Sequence, residues 1–98
     1  MLITYNNRKI EEICTNAEIA VKKLGKAQAK KLKLRLVQIQ AADCVEDLIQ
    51  FSIGGCHKLT GNRSGQYAMH LSEPYRLIFN IVDEKIEIAN IIEIVDYH

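Results

Sequence analysis

This chain of 98 residues predicts an α+β domain: an N-terminal strand and helices packed on a small, mainly antiparallel sheet. Three observations lead there. Apolar residues recur at helical spacing through the first half, and they alternate at strand spacing through most of the second. The helical patterns come first and the strand patterns follow as a meander, the order expected of an α+β fold. The length suits a single domain over residues 1–98 and leaves no room for two.

The elements follow in order. Leu2 to Tyr5 reads as a short strand, and Arg8 to Cys14 as one or two helical turns. Thr15-Asn16-Ala17-Glu18 matches a capping box, so a helix is expected to start there and to stop at Gly25. Lys26 to Ala42 is the clearest helix, with Ala29, Leu32, Leu36 and Ile39 on one face. Lys22, Lys26, Lys30 and Lys33 would form one basic stripe if the two helices were collinear. Asp43 suits the N-cap of a further short helix, Cys44 to Gln50. His57 to Thr60 reads as a short strand before a turn-rich loop, Gly61 to Gly65. Tyr67, Met69 and Leu71 alternate on one strand, and Tyr75, Leu77, Phe79 and Ile81 on the next, with Glu73-Pro74 as a tight turn between them. Lys85 to Val95 carries isoleucine on both faces, as an inner strand does.

Composition narrows the function classes. Hydrophobic residues make up 48% and charged residues 26%, with one proline, so disorder is not expected. The net charge of +1 hides an asymmetry. Through Gln50 nine basic residues face six acidic ones, and from Phe51 onward four face six. A basic face of this kind can bind a polyanion. Cys14, Cys44 and Cys56 are odd in number and form no paired motif, which suits small apolar residues and reduced thiols in a cytoplasm. No apolar run is long enough to cross a bilayer, and Met1 to Tyr5 is too short for a signal peptide.

The sequence ends Asp96-Tyr97-His98, directly after an apolar strand. These side chains accept or donate protons, and a packed strand can hold such groups still. A second set precedes it. Cys56-His57-Lys58-Leu59-Thr60-Gly61-Asn62-Arg63-Ser64-Gly65-Gln66-Tyr67 is followed by Tyr75-Arg76-Leu77-Ile78-Phe79. Together these segments resemble the HigB-like killer-protein branch of the RelE/ParE toxin superfamily. That branch has a His-x-Leu-Lys-Gly-x-Arg-x-Gly-x-aromatic segment, an aromatic-Arg-Leu/Ile-x-Phe strand and a terminal Asp-Tyr-His. The match covers residues 57 to 98, and the N-terminal helices match only in order and amphipathic character.

The resemblance implies a compact fold with helices on a small sheet. It implies a toxin that acts as an endoribonuclease on mRNA in the ribosomal A site, without metal or other cofactor. It also implies a helix-turn-helix antitoxin of HigA type as partner; we expect the free toxin to be a monomer. Chemistry at the residues agrees. Cleavage by the RNA 2′-OH needs a base, an acid and cations for the phosphate. His57, Asp96, Tyr97 and His98 are the acid–base candidates, and Arg76 and Arg63 the phosphate candidates. The lysines at 22, 26, 30 and 33 suit an RNA backbone. One residue departs from the pattern: Thr60 stands where the branch has lysine, and Lys58 is the candidate substitute. That departure motivates a competing reading, a non-catalytic relative such as a ParE-like gyrase inhibitor, and the lysines motivate another, an RNA-binding module without catalysis. His70, between Met69 and Leu71 and outside the motif, reads as structural.

Overall fold

The structure, a computed structural model, describes every residue except Glu84, Tyr97 and His98. Among the described residues the order is β1 (Leu2–Tyr5), α1 (Arg8–Thr15), α2 (Ala17–Leu24), α3 (Lys26–Ala41), α4 (Val45–Gln50), β2 (His57–Lys58), β3 (Gln66–His70), β4 (Tyr75–Val82) and β5 (Ile88–Asp96). The five strands form one sheet in the order β1-β5-β4-β3-β2. β1 runs parallel to β5 and the other pairs are antiparallel. The expected α+β class is what folds, and β5 is an inner strand between β1 and β4.

The helices cover one face of the sheet. Alternation sends Met69, Leu77, Phe79, Ala89 and Ile91 inward, where they meet Ile10, Leu32, Leu36, Ile39, Val45 and Leu48. Phe79, Ile39, Leu48, Leu77 and Ile91 are wholly buried, and Tyr67 stacks on Phe79 with ring centroids 5.5 Å apart. The opposite face carries a smaller apolar cluster of Leu59, Ala68 and Ile78, packed by Ile92 and Val95. Ile92 reaches that face through a bulge: Phe79 opposes Ile91 and Ile78 opposes Glu93, so Ile92 is the extra residue.

The ends of the helices depart from expectation in instructive ways. Asn16, not Thr15, caps α2: its Oδ1 accepts from the backbone N–H of Glu18 and Ile19, while Thr15 donates back to the Glu11 carbonyl. Cys44, not Asp43, is the N-cap of α4 and offers no side-chain bond. The Val45 N–H is instead met by Glu87 Oε1 at 3.1 Å, from the segment leading into β5. A carboxylate at a helix start satisfies an otherwise orphan donor. β2 is shorter than expected: after Lys58 only the Leu59 N–H still bonds β3, at the Gln66 carbonyl (2.9 Å), before the 3-10 turn at Gly61–Arg63. α2 and α3 are not collinear. At Gly25 (φ +84°) the chain turns back, and Ala17 and Val21 line one groove with Lys30 and Lys33.

Two polar side chains of α3 are buried, and both tie it to the sheet. Gln28 holds the Ser72 backbone with two bonds: its Nε2 donates to the carbonyl at 2.8 Å, and its Oε1 accepts from the N–H at 3.0 Å. Arg35 Nε donates to the His70 carbonyl at 2.6 Å and its Nη1 to Gln38 Oε1 at 3.0 Å. The three cysteines are free. Burial pushes the Cys14 thiol up to about 12 and the Cys56 thiol up to about 11, so both are protonated and inert at neutral pH. Among the described residues no helix is long and apolar enough to cross a membrane.

Candidate active site

The sheet face that the helices leave uncovered holds the candidate site. His57 opens β2 and lies in register with Ala68, so it stands on that face. Its Nδ1 donates to the Gly55 carbonyl at 2.9 Å. A carbonyl can only accept, so Nδ1 carries the hydrogen of this bond, and in the neutral ring Nε2 is the nitrogen with the lone pair. His70, two residues beyond Ala68 on β3, shares the face. The two imidazoles stand edge to face, with ring centroids 6.4 Å apart and planes 83° apart.

Arg76 is the register partner of His70 on β4. Its side chain is only 14% exposed and is oriented on three oxygens. Nη1 donates to the Tyr75 carbonyl at 3.0 Å and pairs with Glu73 Oε1 at 3.2 Å, and Nη2 reaches Glu73 Oε2 at 3.3 Å. Glu73 is largely exposed. Burial first, then the Arg76 guanidinium, lowers the His70 pKa from the ordinary histidine value; His57 and Arg35 add to this and Glu73 opposes it. His70 is therefore neutral at pH 7.

Two glycines make this packing possible. Gly54 and Gly55 have φ of +59° and +62°, a region side chains rarely adopt. A Cβ on Gly54 would sit 2.7 Å from Arg35 Nε, and one on Gly55 would sit 2.9 Å from His70 Nε2. Arg35 thus holds the His70 backbone from the helix layer while Gly55 lets the ring lie close.

The other candidates from the sequence are placed as follows. Arg63 pairs with Glu93 at 2.5 Å and donates to Gln66 Oε1 at 2.9 Å, over the small apolar cluster. Lys58 is exposed and in register with Tyr67, which packs toward the helices. Its register therefore puts it on the side away from His57. Asp96 ends β5 opposite Tyr75, beside the Val95–Arg76 pair, so the strand finishes at the end of the sheet that carries Arg76 and His70. Tyr97 and His98 lie outside the described residues. Lys26, Lys30 and Lys33 border the groove between α1–α2 and α3, a space of about 410 Å³ floored by Ala20, Ala29 and Leu32. Lys22 lines an adjoining hollow on α2 with Ala17, Glu18 and Val21, and the turn at Gly25 removes the collinearity that a single stripe needed.

His70, Arg35 and the Gly54-Gly55 pair stand beside His57 and Arg76 in the candidate site, a placement that sequence reasoning missed. The glycine doublet just before His57 was the one available signal, since adjacent glycines mark a close backbone approach. Nothing local marks His70, whose neighbours come from β2 and β4.

Comparison with known proteins agrees with this architecture. No family model and no curated protein matches the sequence. Solved structures do match in fold. YoeB of the YoeB-YefM complex from Staphylococcus aureus superposes with a TM-score of 0.65 at 23% identity, over 100% of this chain and 98% of that one. A YoeB/ParE toxin from Agrobacterium tumefaciens gives 0.59 at 10% identity, over the whole of both chains. YafQ from E. coli gives 0.62 at 16% identity, over 96% and 90%. These are YoeB and YafQ structures, not HigB ones. At such identities the likeness is one of backbone, and the chain has the RelE-like toxin fold: helices on one face of a five-stranded sheet.

Proposed function

We propose that this protein is the toxin of a type II toxin–antitoxin system, of the HigB-like branch, and that it cuts mRNA on the ribosome by metal-independent attack of the 2′-OH. The observation that carries this is the placement of His57, His70 and Arg76 together on one sheet face. His57 Nε2 has the lone pair a general base needs, and neutral His70 is a second proton acceptor beside it. The forked Arg76 guanidinium suits the charge that develops on phosphate. An imidazole takes the 2′-OH proton, the 2′-oxygen bonds to phosphorus, and the bond from phosphorus to the 5′-oxygen breaks. That oxygen then takes a proton from an acid, leaving a 2′,3′-cyclic phosphate and a 5′-OH. We assign the acid to the Asp96-Tyr97-His98 segment, and RNA-backbone contacts to Arg63, Lys58, Lys22, Lys26, Lys30 and Lys33. The fold shared with YoeB of a YoeB-YefM complex supports an antitoxin partner. We assign that partner the helix-turn-helix type, the free toxin a monomeric state and the pair a cytoplasmic location.

Induced expression with RNA-end mapping tests the proposal. Wild type should arrest growth and leave cuts in A-site codons, and His57→Ala should lower cutting roughly 100- to 10,000-fold, the range for a lost general base. A wild type that cuts no mRNA on programmed ribosomes ends the proposal.

One set of contacts favours a second reading, the non-catalytic relative. Both arginines of the face already hold carboxylates, and Lys58 registers to the other side. That reading predicts toxicity that survives loss of both His57 and His70, with inhibition of gyrase supercoiling as its direct assay.

A further inference from the structure

A row of one hydroxyl and three amide side chains crosses the uncovered face in register. Thr4, Asn90, Asn80 and Gln66 are successive partners on β1, β5, β4 and β3. Asparagine is disfavoured within strands, yet a facing pair sits here on two inner strands. The hydrogen bonds run in one direction. Thr4 Oγ1 donates to Asn90 Oδ1 at 2.9 Å, and Asn90 Nδ2 donates to Asn80 Oδ1 at 3.2 Å. At the far end Gln66 Oε1 accepts from Arg63. The oxygens of Asn80 and Gln66 are thus engaged, and among the described residues their amide nitrogens donate to nothing. No fully buried side-chain nitrogen or oxygen lacks a partner among those residues, so both nitrogens reach solvent. The row presents two neighbouring NH₂ donors.

Their distance from the imidazoles suits a neighbouring nucleotide. Gln66 and His70 flank Ala68, the partner of His57, on the same face. Each such step along a strand is about 7 Å. The buried Ala68 and Ile78 lie between the amide row and the His70–Arg76 pair.

We propose that Asn80, oriented by Asn90 and Thr4, and Gln66, held by Arg63, select the base beside the scissile phosphate. Two adjacent donors match a base edge with two adjacent acceptors, which is the O6 and N7 edge of guanine; adenine offers a donor and an acceptor there. The inference rests on the nuclease reading above and assigns that site its base preference.

The test maps cut sites of wild type and of Asn80→Thr/Asn90→Thr on programmed ribosomes. Threonine favours strands, so the sheet is kept, and thermal melting of the variant checks this. Wild type should prefer guanine at one position next to the cut, and the variant should lose that preference about ten-fold, within the range of one paired amide–base contact, with cuts spread over the other bases. Cutting with the same base preference in both proteins overturns the inference and leaves the nuclease reading standing. Abolished cutting by a folded variant also overturns it, since the row would then serve the reaction and not base choice. Absence of cutting by wild type fails the nuclease reading itself, and this inference with it.

Discussion

His57 and His70 meet edge to face at 6.4 Å, and both rings lie against one glycine, Gly55. The Gly55 carbonyl accepts from His57 Nδ1, and the His70 ring fills the space that a Gly55 side chain would need. This contact joins an edge strand to the inner part of the sheet, and four expectations follow from it and its surroundings.

Substitution of Gly55 should disturb the pair more than the backbone. Gly55→Ala meets both an unfavourable φ and the His70 ring at 2.9 Å. Gly61→Ala is the control: its φ is +64° and nothing lies within 4 Å of the added Cβ. Gly61→Ala should cost about 1–2 kcal/mol, the backbone penalty alone. Gly55→Ala should cost more and should shift the His70 imidazole resonances. Urea midpoints and NMR of the histidine rings read both.

Acid should weaken the fold through His70. Its pKa is lowered in the folded state, so the unfolded chain binds the proton more readily. Stability is therefore highest above the ordinary histidine value of 6.5 and falls as pH drops below it, until the folded pKa is passed. His70→Gln should flatten this dependence between pH 7.5 and 5.5 in urea titrations. An unchanged slope would remove His70 as its source.

Gln28 should matter beyond its size. Gln28→Ala removes both bonds to the Ser72 backbone and strands a part-buried donor and acceptor. The expected loss is about 2 kcal/mol or more, since unmade buried hydrogen bonds carry a desolvation cost. Gln38→Ala, on the more exposed side of the same helix, should cost less in the same urea series.

Glu73 should compete with phosphate for Arg76. The carboxylate is exposed, so Glu73→Gln should change stability by less than about 1 kcal/mol. It should nevertheless raise the affinity for a short RNA several-fold and steepen its salt dependence, because one more cation becomes available to the backbone. Filter binding at two salt concentrations measures both.

How much of this was legible depends on whether the cause was local. The bounds of β1 (Leu2–Tyr5) and β4 (Tyr75–Val82) follow from alternation that stops at the polar residues Asn6 and Asp83, and they fold as read. The α2 cap was misplaced by one residue because Thr15 and Asn16 are both good caps, and the return of Thr15 Oγ1 to Glu11 settles which is used. The α4 cap was missed because the acceptor comes from Glu87, more than forty residues away. The lysine stripe failed on a single torsion at Gly25. Among the site candidates, His57, Arg76 and Asp96 stood out by type and motif, whereas His70 looked like any histidine between two core residues.

By itself the sequence determined the period of each segment, hence which stretches are helices or strands and which face of each turns inward. Periodicity is a property of neighbours in the chain, and burial of one face follows from it directly. Only the tertiary structure decided that β1 lies beside β5, that Lys58 and His57 part to opposite faces, and that His57, His70 and Arg76 share one. Strand order and register come from closing the whole sheet over the α3 core, where a shift of one residue would exchange the two faces.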